Sequence, residues 1–88
     1  MNNERRKQIE AINGRIAVLL AEAENIKTDV EAIRDDEQEY RDNMPESFGE
    51  GEKGERADAA IAALEQVIED LESLIENDFS GQLDTAAE

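Results

Sequence analysis

The chain has 88 residues, a net charge of −15, 38% charged residues and only 3% aromatic residues (Tyr40, Phe48 and Phe79, with no Trp). A chain this short makes at most one small domain, and so few aromatic side chains exclude a large globular core or an aromatic-lined ligand pocket. The absence of cysteine and histidine excludes disulfides, thiol chemistry, the usual zinc sites and the commonest general base.

In the first half of the chain, Ile9, Ile12, Ile16, Leu19, Ala23, Ile26, Val30 and Ile33, then Tyr40 and Met44, recur in 3-4-3-4 spacing, with only Glu37 out of type. A repeat of 3.5 residues keeps one seam of a helix facing a partner and predicts a coiled coil. The helix is expected over about residues 4–43, about 60 Å long at 1.5 Å per residue. Asn2 or Asn3 serves as its N-cap. Arg5, Arg6 and Lys7 sit near the positive end of the helix dipole at a small cost, and Gly14 is its weak link. The uncharged apolar run Ile16 to Ala21 is far short of a membrane span. The basic N-terminus has no apolar segment after it and does not read as a signal peptide.

Pro45 ends this helix, and the glycine-rich stretch 44–54 reads as a loop with Phe48 tucked beside Tyr40 and Met44. A second helix is expected over about 55–78, with a seam of Ala57, Ile61, Leu64, Ile68, Leu71 and Ile75 widened by Ala60, Val67 and Leu74. An apolar face this wide suits contact with more than one neighbour. Residues 79–88 read as a flexible acidic tail, with Phe79 and Leu83 as candidate anchors. The fold class is therefore all-α, a long antiparallel helical hairpin (residues 1–78, one domain) that dimerises into a helical bundle. In that arrangement the rear of the first seam lies inside the hairpin. The front, Ile9, Ile12, Ile16 and Leu19, projects beyond it and forms the interface of a homodimer.

The chemistry-bearing residues are carboxylates. Residues 1–30 hold five basic and five acidic residues, so the other four basic and nineteen acidic residues in 31–88 carry the whole −15. That balance argues against direct binding of nucleic acid, which needs Lys and Arg, and favours a basic partner. The run Asp35, Asp36, Glu37, Glu39, Asp42 is no EF-hand loop, because the sixth position is Tyr40 and the segment is helical; it reads as a solvated face. Glu37, on the seam, is expected to pair with Arg34 or Arg41 or to mark the end of the coil. The glycines at 49, 51 and 54 lie among acidic residues and would repel phosphate. No catalytic residue, metal ligand, cofactor or small-molecule substrate is implied. The expected partner-binding surface is Asp35, Asp36, Glu39 and Asp42 of the first helix with Glu65, Glu69, Asp70, Glu72 and Glu76 of the second.

The segment Asp35-Asp36-Glu37-Gln38-Glu39-Tyr40-Arg41-Asp42-Asn43-Met44-Pro45-Glu46, followed by Ala57-Asp58-Ala59-Ala60-Ile61 and the Leu64-Glu65 region, resembles small acidic helical proteins encoded by tailed bacteriophages and prophages. The resemblance covers about residues 30–76 and transfers no catalytic or binding residue. It implies an accessory protein in the host cytoplasm, which agrees with a cysteine-free chain. The functional expectation is a non-enzymatic acidic interaction module, an inhibitor that mimics nucleic-acid charge and binds a basic host or defence protein. The alternative is a structural coiled-coil assembly protein whose acidity serves solubility only.

Overall fold

A computed structural model describes all residues, 1–88. Four helices follow in order: α1 (Asn3–Asp42), α2 (Glu46–Gly49), α3 (Glu52–Glu76) and α4 (Phe79–Ala87). The chain is all-helical and extended, measuring 68 × 16 × 13 Å. Its radius of gyration of 20.1 Å far exceeds the roughly 12 Å of a compact chain of this length. α1 runs the whole length, with α3 and then α4 laid back along it.

α1 begins where expected. The Asn2 side chain accepts the Arg5 backbone N–H at 2.9 Å, and the helix continues for 40 residues. The register of the return is fixed by two ion pairs. Arg41 donates through Nε to Asp58 at 2.8 Å, and Lys27 lies 3.3 Å from Glu72. These pairs lie on the side of α1 that faces α3. The positions withdrawn from solvent on α1 are Ile9, Asn13, Ile16, Leu20, Ala23, Lys27, Val30, Arg34, Glu37 and Arg41, with Glu31 beside them and Met44 just past the helix end. This is also a 3.5-residue seam, but its alternate members stand one residue beyond those of the apolar series. Ile26, Ile33 and Tyr40, expected inside the hairpin, are exposed. On the flank that turns inward instead, Lys27 and Arg41 each meet a carboxylate of α3.

The loop also differs from expectation. Pro45 starts a one-turn helix, α2, and α3 begins at Glu52, after Gly51. Glu52 and Glu55 in the first turn of α3 complement its dipole. Gly54 is buried, and a Cβ there would overlap the backbone carbonyl of Gly49. Arg41 closes the same corner by donating to the Gly49 carbonyl at 3.1 Å.

The expected irregular tail is a helix instead. The chain breaks at Asn77, which is extended, and the Asp78 side chain caps α4 by accepting the Gly81 N–H at 3.1 Å. Phe79, Leu83 and Ala87, spaced at fours, are half-buried, and α4 packs on the front of α1. Arg6 donates to the main-chain oxygens of Ala87 at 2.9 Å and Glu88 at 3.3 Å. A base placed poorly for its own helix therefore satisfies the C-terminal carbonyls of another. The front of α1 does not project bare as expected, because α4 covers one side of it.

Two glycines give opposite expectations. Gly54→Ala forces the α2–α3 corner apart and should cost about 1–3 kcal/mol, the usual range for overpacking. Gly14→Ala, where a Cβ meets nothing within 4 Å, should stabilise α1 by about 1 kcal/mol. Urea unfolding followed by circular dichroism measures both.

Candidate functional site

The hairpin corner is the best-organised polar cluster. Both guanidinium Nε and Nη2 of Arg41 engage Asp58, at 2.8 and 3.4 Å. That hydrogen bond, reinforced by the charge of Arg41, holds the Asp58 carboxyl below the ordinary aspartate value, and it raises Arg41 in turn. Lys27 is raised by its hydrogen bond to Glu72 and by the nearby carboxylates. Both pairs tie α3 to α1. Arg34 bonds to its neighbour Asp35 at 3.0 Å, and Arg56 pairs with Glu52 within α3. Glu37 therefore pairs with neither Arg34 nor Arg41; it is half-buried on the seam with no salt bridge.

The nine expected partner-binding carboxylates do not form one face. Glu65 and Glu72 stand on the flank of α3 that meets Lys27, while Glu69, Asp70 and Glu76 point outward from α3. Asp36 and Glu39 line the cleft beside Tyr40 at the hairpin tip, and Asp35 and Asp42 are exposed elsewhere on α1. Glu72 and Asp35 are engaged by bases, and Asp42 and Asp70 accept from Gln38 and Gln66 one turn away. The four salt bridges use four of the 24 acidic residues, which leaves twenty carboxylates without a cation. No group of them converges as a metal site, and no helix is long and apolar enough to cross a membrane.

The four residues expected at a dimer interface are split. Ile9 and Ile16 are half-buried on the side facing the return helices, whereas Ile12 and Leu19 face solvent. These two belong to a longer stripe that the apolar spacing alone had placed partly indoors: Ile12, Leu19, Ile26, Ile33 and Tyr40, each between 40% and 56% exposed. The ion pairs put Lys27 beside Glu72 and Arg41 beside Asp58. The opposite flanks, α1's stripe and the Ala60, Val67 and Leu74 edge of α3, therefore share the other side of the rod. Val67 is exposed, and Ala60 and Leu74 are half-buried. The signal for this surface was already in the sequence, in the widening of the second helix's apolar face to these three positions.

At the hairpin tip the stripe runs into an open cleft of about 440 Å³ lined by Asp36, Glu39, Tyr40, Met44, Phe48 and Lys53, among others. Phe48 is half exposed rather than tucked away, and Lys53 Nζ sits 5.2 Å from its ring centroid. Comparison with protein-family models, curated proteins and solved structures finds no match to the chain.

The sign of the Asp58 shift gives a pH prediction. A carboxyl held below its unfolded value contributes stability above that value and loses it as pH falls through the folded one. The stability difference between the unaltered chain and Asp58→Asn should stay constant from neutrality down to near 3.8, the ordinary value, and shrink below it. Urea titrations at a series of pH values measure that difference.

Proposed function

We propose that the chain is a non-enzymatic acidic interaction module that binds a basic, nucleic-acid-handling protein, acting as an inhibitor of a host or defence protein in a phage setting. The observation that carries this reading is the twenty carboxylates without a cation on a slender helical rod. A net −15 over 68 Å is one charge per about 4.5 Å, comparable with the 3.4 Å spacing along one DNA strand and sparser than the ~1.7 Å of the duplex. The spread of carboxylates around the rod suits this role, since any rotational setting presents negative charge to a basic groove. Such charge steers a cationic partner and competes for its Lys and Arg contacts.

A second reading, a structural assembly module whose acidity serves solubility only, draws support from the exposed stripe Ile12 to Tyr40. The two readings respond oppositely to charge. Affinity capture from host lysate at physiological salt should retain a nucleic-acid-binding protein, and Asp35→Asn, Asp36→Asn, Glu39→Gln and Asp42→Asn together should release it. Recovery of no such protein, or binding indifferent to the four amides, rejects the inhibitor reading. Function lost on Ile12 substitution but retained on charge reversal selects the assembly module.

A further inference from the structure

A two-helix rod with so little interior leaves much apolar surface bare. The chain exposes 6422 Å², about 1,250 Å² more than the roughly 5,170 Å² of a compact folded monomer of its mass. A standard interface covers about 800 Å² per partner, so the excess alone suffices for one. We propose that a second copy of this chain, running antiparallel, covers the stripe of Ile12, Leu19, Ile26 and Ile33, and that the two hairpins form a four-helix bundle. This inference is independent of the charge-binding reading above.

Charge selects the direction. The hairpin-tip segment 31–60 holds eleven acidic and four basic residues, a net −7, whereas the opposite end (1–22 with 77–88) holds six acidic and four basic, a net −2. A parallel pair stacks the two −7 tips together; an antiparallel pair sets each tip against the less charged end of the other copy.

The stripe also fixes a register. Leu19 set against Ile26 of the second copy brings Ile12 onto its Ile33 and Arg5 onto its Tyr40. Along the outer border of the stripe the same register sets Arg15 against Asp29 and Gln8 against Asp36. The one like-charge approach is Glu22 with its own symmetry mate at the two-fold axis. Arg5 then enters the tip cleft lined by Tyr40, Asp36 and Glu39, where an aromatic ring and two carboxylates suit a guanidinium. The two-fold that stacks α1 on α1 lays the Val67 edge of α3 over α4 of the second copy.

Sedimentation equilibrium of the full chain at micromolar concentration should give the mass of two copies. Leu19→Glu with Ile33→Glu should return it to one, with helicity by circular dichroism retained. Because those variants put charge into an apolar face, a surface pair supplies an arm independent of folding. Arg15→Glu should weaken the dimer at least about tenfold, and Asp29→Lys in the same chain should restore it. A nitroxide on Lys7→Cys should report an intermolecular distance of about 45 Å, from the proposed register at 1.5 Å per residue, against under about 25 Å across a parallel bundle. The proposal is overturned by a monomeric unaltered chain, by a dimer that survives the two glutamates, by failure of Asp29→Lys to rescue, or by the short distance.

Discussion

The pairing of Arg41 with Asp58 and of Lys27 with Glu72 marks the side of α1 that meets its return helix. The first half of the chain offers two neighbouring seams, both with a 3.5-residue period and sharing every seventh residue. One continues through Ile12, Leu19, Ile26, Ile33 and Tyr40; the other through Asn13, Leu20, Lys27, Arg34 and Arg41. Apolar content favours the first, but the return helix takes the second, where two of the bases meet carboxylates on α3. The aliphatic stems of Lys27, Arg34 and Arg41 can cover apolar surface while their charged heads reach the edge. The more apolar seam is thereby left outside, beside the Val67 edge of α3.

That choice makes the single hairpin thinly packed. Its buried apolar residues are Ala23, Ala57, Ile61 and Ile68, two of them only methyl-sized. Small side chains let the helices approach closely but contribute little transfer free energy each. The corner compensates with close contact: Gly54 admits the Gly49 carbonyl, and Arg41 bonds both that carbonyl and Asp58. At the far end α4 is held through Arg6 and by Asn13, which donates to Asp84 at 3.1 Å. The buried Asn13 oxygen has no partner, a cost borne on the polar seam. Against these contacts stands the self-repulsion of −15 charges, which salt or a cationic partner would relieve.

The two long helices were legible because long helical spacing, Pro45 and the acidic start of α3 all point the same way. The seam's offset was not. Periodicity ranks positions by apolarity, and it reads Asn13, Lys27, Arg34 and Arg41 as surface; only the α3 register, with Asp58 and Glu72 opposite, reverses that order. α4 was missed because Gly81 and the small polar residues weaken a nine-residue helix, although Asp78 as cap and the 79-83-87 spacing were present. The candidate acidic surface was legible as charge but not as geometry, since its residues fan around two helices whose rotation the same ion pairs set. The stripe at Ile26 and Ile33 was visible as apolar residues and hidden as an exposed face.

A double-mutant cycle on Arg41 and Asp58, by urea unfolding at low ionic strength, tests this account most directly. The losses should be non-additive: Arg41→Ala and Asp58→Ala should each destabilise the chain, and the double variant should be appreciably more stable than their sum implies. Additive losses within error would mean that the two side chains do not meet, and the seam assigned to α1 would be wrong.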